Sequence, residues 1–169
     1  MTDAPLLAPL AIATISHHTA KGEELEACRF PDEIAFLQAA GEHFRGVVLL
    51  QTCNRVEVLV QGDAARLSAY LSGQGKGGFS CLSGRSVLVH LLELAAGIDS
   101  MIVGEDQILG QMKTALATAR QAGTASPLIE LCIDKAVHVG IQVRRRTQIN
   151  RGAVSIGSAA VLLAEQQLG

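Results

Sequence analysis

The chain has 169 residues, 49% of them apolar and 18% charged, enough to bury a core and unlike a disordered segment. Aromatic residues make up 3%, with no Trp, which disfavours the stacking platforms that bind single-stranded nucleic acid; a net charge of -2 excludes polyanion binding by bulk charge. No apolar run reaches the roughly 18 residues of a spanning helix, and no basic residue precedes the stretch 6–15, so a soluble intracellular domain without a signal peptide is expected.

Residues 9–16 alternate loosely and end at His17-His18-Thr19, the pattern of a strand entering a loop. Pro31-Asp32-Glu33 opens a helix that reaches about His43, with Ile34, Leu37 and Phe44 at helical spacing. The β-branched runs 47–51 and 56–60, four residues apart, read as two strands. Asp63 can cap a short helix through Ser72, and the Gly- and Ser-rich stretch 73–86 reads as a loop with one short strand at 79–82. From Arg85 the spacing turns helical. Leu88, Leu91, Leu92 and Ala95 form a stripe that Gly97 ends. A second helical stretch covers 104–122. Ser126-Pro127, a cap followed by proline at the first helical position, starts a third that runs to about Gln148. A fourth covers 153–167, and its apolar surface fits an interface helix or the beginning of a longer protein.

Cysteines at 28, 53, 81 and 132 include no Cys-x-x-Cys pair and no His at finger-like spacing, so neither a zinc site nor a disulfide framework is expected. Cys53 differs from the rest. Gln51-Thr52-Cys53-Asn54-Arg55-Val56-Glu57 places a thiol in a four-residue polar turn between apolar strands. A guanidinium two residues away favours thiolate, the nucleophilic form, and Thr52 and Asn54 add neutral hydrogen-bonding groups. An ordinary strand connection with an incidental cysteine is the competing reading. Cys28, Cys81 and Cys132 read as small buried hydrophobes.

His90 lies among aliphatic residues of the helix 85–96: a core histidine, or an acid–base group if the fold brings it to a thiolate. Residues 97–111 form the densest polar cluster of the helical half. Gln107 and Gln111 share one helical face behind Glu105, and either cap helices or line a polar pocket, while Asp99-Ser100 also reads as a plain cap. Arg144-Arg145-Arg146, with Lys135, His138 and Arg151, gathers positive charge, suited to phosphates or to a solvated helix end that complements the dipole. The run Gly73-Gln74-Gly75-Lys76-Gly77-Gly78 matches Gly-x-Gly-x-x-Gly in letters only. A dinucleotide site needs a strand before it and a helix after it, and here a helix precedes and a strand or loop comes next.

Four stretches together resemble the glutamyl-tRNA reductase family. Ser16-His17-His18-Thr19-Ala20 is similar to its N-H-x-T-A element, and Gln51 to Glu57 to its S-T-C-N-R-x-E signature. Gly97-Ile98-Asp99-Ser100 through Gly104-Glu105-Asp106-Gln107-Ile108-Leu109-Gly110-Gln111 resembles G-L-D-S-x-x-x-G-E-P-Q-I-L-G-Q. Val143 to Thr147 and Gly152-Ala153-Val154-Ser155 resemble R-V-R-T-E-T and G-A-V-S.

The resemblance implies an α+β fold: a ferredoxin-like antiparallel sheet subdomain at 1–84, a helical bundle completing a catalytic domain at 85–151, and at 152–169 the start of a long connecting helix toward an NADPH-binding domain absent from this chain. It implies that Cys53 attacks the ester of glutamyl-tRNA(Glu), forming a thioester that NADPH reduces to glutamate-1-semialdehyde, the first step of tetrapyrrole synthesis by the five-carbon route. Arg55 would grip the substrate's side-chain carboxylate. Thr52, Asn54, Ser100, Glu105, Asp106, Gln107 and Gln111 would line the remaining pocket, and His90 matches a histidine needed for activity. Asp106 stands where the family has proline, adding a carboxylate beside an anionic substrate, and Gln51 replaces Ser. Implied partners are glutamyl-tRNA, glutamate-1-semialdehyde aminomutase for product transfer, and a second copy of the protein through a domain outside these residues. No metal or membrane is implied, and the location is cytoplasmic. Alone, the chain would act only as an esterase. The alternative is a non-enzymatic tRNA- or partner-binding module of the same fold, which has no need of the intact Cys53, Arg55 and His90. An unrelated cysteine hydrolase would leave the 97–111 pattern unexplained.

Overall fold

Three strands, β1 (Leu10–Ser16), β2 (Val47–Thr52) and β3 (Arg55–Gln61), are buried along nearly their whole length, because the sheet they form is covered on both faces. The computed structural model describes residues 10–99, 107–147 and 149. A short fourth strand, β4 (Ser80–Ser83), completes an antiparallel sheet of order β2-β3-β1-β4. Between the strands run α1 (Gly22–Ala27), α2 (Glu33–Gly41) and α3 (Ala64–Gly73), followed after β4 by α4 (Arg85–Ala96), α5 (Gln107–Ala122) and α6 (Pro127–Thr147). The β-α-β-β-α-β succession with this strand order is the expected ferredoxin-like arrangement, with α1 as an addition.

Successive strand side chains point to opposite faces, so each strand feeds two cores. Ala11, Ala13, Ile15, Val47, Leu49, Val56 and Val58 pack with Leu25, Leu37, Leu67 and Leu71 of α1–α3. Leu10, Ile12, Val48, Leu50 and Leu59 face the other way, against Leu91, Leu94, Met112, Leu116 and Ile133 of α4–α6. The near-continuous apolar runs result from this two-sided cover. Leu50 and Leu59 flank Glu57 on the bundle face, and that one carboxylate in an apolar layer marks the site.

The helix ends obey the sequence signals. Asp32 and Asp63 accept hydrogen bonds from Ala35 N (2.9 Å) and Arg66 N (3.0 Å), satisfying amides that have no partner inside the helix. Gly97 closes α4 in the left-handed region, φ 79°, where a side chain would be strained. The helix α1 is absent from the sequence reading; its six residues bury one side chain, Leu25, too short a record for periodicity. The connection between β2 and β3 is also tighter than expected. Thr52 and Arg55 pair in the ladder, so the turn is Cys53-Asn54 alone rather than four residues. The fourth helical stretch at 153–167 and the connecting helix at 152–169 lie outside the described residues.

Candidate functional site

Cys53 is the exposed tip of the β2–β3 hairpin, and its neighbours are tied down on both sides. Arg29 Nη1 donates to the Thr52 carbonyl (2.6 Å), His17 N donates to the Asn54 carbonyl (2.9 Å), and Asn54 N donates to Thr52 Oγ1 (3.2 Å). One residue earlier, Gln51 clamps the entry to α2: its Oε1 accepts from Phe30 N (2.8 Å), and its Nε2 donates to Phe30 O (3.0 Å) and Glu33 Oε1 (2.9 Å). The thiol therefore stands on a fixed backbone, the condition for a preorganised nucleophile. The other three cysteines differ. Burial pushes the thiols of Cys28, Cys81 and Cys132 up from their ordinary value, and Cys28 donates to Gly77 O (3.3 Å).

Behind the turn, on the bundle face, three donors converge on one oxygen. Glu57 Oε1 accepts from Arg55 Nη1 (2.9 Å), Thr14 Oγ1 (3.2 Å) and the Nε2 of His90 on α4 (3.0 Å), and Glu57 is 2% exposed. Burial alone would raise the Glu57 pKa. The bond from His90 and the charges of His90 and Arg55 outweigh it, so the carboxyl lies below the usual carboxylate range. His90 is the mirror case: desolvation would lower it, and the hydrogen bond and charge of Glu57 hold it above the usual imidazole value. Arg55 is likewise raised; burial opposes its charge, and Glu57 and Asp99 overcome that opposition. Its other partner is Asp99, reached through Nη1 to Oδ2 (2.8 Å) and through Nη2 to the backbone carbonyl. Asp99 Oδ1 lies 3.6 Å from the exposed His18.

The structure thus brings Arg55 and His90 together through a residue that sequence reasoning did not assign, Glu57. It adds Asp99 and His18 at the same place. The period-two spacing of Arg55 and Glu57 was the available signal, since it sets both on one face of β3. Arg55 makes no hydrogen bond to Cys53, nor does His90, among the described residues. Gln107 and Gln111 come to the edge strand β2 that leads into the turn, at Leu49 to Gln51, rather than to Cys53 itself. With Gln51, Glu33, Thr114 and Thr118 they line a groove of about 390 Å³ beside the edge strand β2. Ser100, Glu105 and Asp106 lie outside the described residues.

Two sequence features find other uses. Arg144 is buried and bonds the Ala95 and Gly140 carbonyls, so the basic cluster splits: Arg144 joins α6 to α4, while Arg145, Arg146, Lys135 and His138 are exposed and Arg151 lies outside the described residues. In the Gly-rich loop, Lys76 Nζ donates to Ala27 O (2.7 Å) and Arg29 O (2.8 Å), holding the end of α1. That loop leaves α3 and enters β4, so no helix N-terminus succeeds it and it does not fit a dinucleotide pyrophosphate. Among the described residues no group of three or more His, Cys, Asp or Glu could hold a metal, and no helix is long and apolar enough to cross a membrane.

Comparison with known proteins covers the same region. The family model described as "Glutamyl-tRNAGlu reductase, N-terminal domain" matches residues 13–147. Glutamyl-tRNA reductase of Methanoculleus marisnigri is 67% identical over 161 residues, covering 95% of this chain and 38% of the relative. That of Methanoregula boonei is 65% identical over 159 residues, covering 94% and 38%. The solved structure of glutamyl-tRNA reductase from Methanopyrus kandleri superposes with a TM-score of 0.83 at 38% identity, covering 95% of this chain and 40% of that one. The chain thus spans about 38% of the length of these curated relatives. With the Cys53 hairpin and the α4–α6 bundle both inside the matched segment, the chain belongs to the glutamyl-tRNA reductase family, as its N-terminal domain.

Proposed function

We propose that this chain performs the acyl-transfer half of glutamyl-tRNA reduction. The Cys53 thiolate attacks the carbonyl carbon of the ester between glutamate and the terminal ribose of tRNA. The C–O bond to the ribose breaks, the ribose oxygen takes a proton, and glutamate remains as a thioester on Sγ. His90 is the acid in this reading. Its Nε2–H is committed to Glu57, which leaves the Nδ1–H of the imidazolium as the proton to give; water returns it afterwards. Arg55 reads the glutamyl side-chain carboxylate, work suited to a guanidinium fork. Thr52, Asn54, Gln107 and Gln111 line the approach, and Ser100, Glu105 and Asp106 complete the pocket.

The observation that carries this reading is the Arg55–Glu57–His90 array set on the strand that leaves the Cys53 turn. A pure binding surface has no use for a half-buried histidine hydrogen-bonded to a buried carboxylate on the strand that leaves an anchored exposed thiol. NADPH, supplying hydride to the thioester, belongs to the length of the relatives that this chain does not span. We assign the aminomutase partnership, the dimer and the cytoplasmic setting to the whole protein in the same way. The 1–84 and 85–151 units together form the catalytic domain.

The experiment is mass spectrometry of the chain after incubation with glutamyl-tRNA. A glutamyl adduct on Cys53 is expected. Cys53→Ser removes it without unfolding the protein, because a hydroxyl is a poor nucleophile at neutral pH, while the serine variants of Cys28, Cys81 and Cys132 keep it. An adduct on one of those three instead overturns the assignment.

A further inference from the structure

With Arg55 as the reader of the substrate carboxylate, on which this inference rests, its present partners become informative. The guanidinium faces no solvent: it is 3% exposed, Nη1 is shared between Glu57 and Asp99, and Nη2 is taken by the Asp99 carbonyl. Its two carboxylates are not equivalent. Glu57 is buried on the neighbouring stretch of β3 and holds three donors at once. Asp99 is 34% exposed and sits on the turn after α4, two residues beyond Gly97. Among the described residues, its second oxygen is faced by His18, at 3.6 Å. The negative end of the α4 dipole adjoins it, an unfavourable place for an anion, so Arg55 holds Asp99 there against that field.

We propose that Asp99 is an internal carboxylate seated on the ligand-reading edge of Arg55, and that the substrate's carboxylate enters by exchange with it. Glu57 stays behind the guanidinium throughout. One carboxylate leaves and one arrives, so the buried charge count is unchanged and Arg55 is never left with a neutral partner in a desolvated place, the costly case. His18, exposed and already facing Asp99, is the polar neighbour on the side where the released carboxylate meets solvent.

Exchange has a signature that distinguishes it from simple positioning. A group that must be displaced weakens every ligand of Arg55 by the same factor, and that factor cancels from any ratio of two ligands. A group that orients Arg55 acts on the difference between ligands instead. The test measures Cys53 adduct formation against concentration for glutamyl-tRNA and for mischarged glutaminyl-tRNA, in the parent chain and in Asp99→Asn and Asp99→Ala. Loss of one charge-assisted contact makes the expected fall in half-saturating concentration about tenfold for both substrates, with their ratio preserved. Asp99→Glu, which restores a carboxylate, returns both values toward the parent.

A rise in the half-saturating concentration, no change, or a collapse of the ratio overturns the exchange. Urea unfolding of each variant confirms that the folded protein is being compared, and two substitutions of different size guard against a local packing artefact. Failure of the parent chain to form any Cys53 adduct is a different result. It overturns the acyl-transfer reading itself, and the exchange with it.

Discussion

Arg55 tests how much of the site is geometry rather than charge. Lysine keeps the cation but cannot donate to Glu57 and to a second carboxylate from one planar group. Arg55→Lys should therefore cost on the order of 1.5–3 kcal/mol of ligand recognition. Half-saturating glutamyl-tRNA should rise about tenfold or more. If the variant still separates glutamyl- from glutaminyl-tRNA as well as the parent, another residue reads the carboxylate. The Glu57–His90 pair makes a second residue-scale prediction, through pH. Glu57 is lowered on folding, so its contribution is present above its unfolded value and lost as pH falls through the folded one. His90 is raised, so its contribution is present below its unfolded value and lost as pH rises through the folded one. Both are in force at roughly pH 5 to 6. The stability difference between the parent and His90→Asn, from urea unfolding, should be widest there and shrink as pH rises through the raised histidine value. A difference that widens above neutrality would mean that His90 is held neutral.

At the scale of elements, the crossing of α4 and α6 is set by one close approach. A Cβ on Gly140 would collide with the Ala95 carbonyl oxygen, backbone that cannot turn aside. Arg144, one helical turn on, bonds that same carbonyl. Gly140→Ala should destabilise the chain by about 1–3 kcal/mol through overpacking. Gly110, inside α5 with nothing within 4 Å of its missing Cβ, is the control. There alanine should stabilise by about 0.5–1 kcal/mol, since only the glycine's backbone entropy is removed. Denaturation midpoints showing the same sign at both positions would undo this reading. Elements with caps and long periodic faces are legible in the sequence: Asp32, Asp63, Gly97 and Ser126-Pro127 mark their helices where the structure has them. The two-residue turn is not, because Thr52 and Arg55 are polar residues that the ladder accepts for their backbone. Nor is the partnership of Arg55, Glu57 and His90, which needs α4 packed on the bundle side of the sheet so that His90 reaches Glu57, 33 residues earlier. Arg144 reads as surface because charge runs usually are, and here one of three points inward to cap α4.

For the molecule as a whole, the consequence lies in the fate of the thioester. The described residues offer no strand, Gly-rich loop and helix in succession that would cradle a pyrophosphate; the one Gly-rich run leaves α3 and enters β4, with its lysine spent on α1. A thioester formed on the exposed Cys53 of these 169 residues then meets water as its abundant acceptor. Attack by water on the thioester carbonyl breaks the C–S bond, returns the thiol and releases glutamate. The expected behaviour is slow hydrolysis of glutamyl-tRNA to free glutamate and tRNA, with no semialdehyde whether or not NADPH is added. Water exclusion is what a reductive site must add, because a hydride donor competes with hydrolysis only where the thioester is covered. His90→Asn separates the two steps: adduct that accumulates assigns the histidine to hydrolysis, and adduct that forms slowly assigns it to the first transfer. Product analysis by mass spectrometry decides the larger point. NADPH-dependent semialdehyde from these residues alone would show that they bind and use the cofactor, with Gly73 to Gly78 the first positions to mutate.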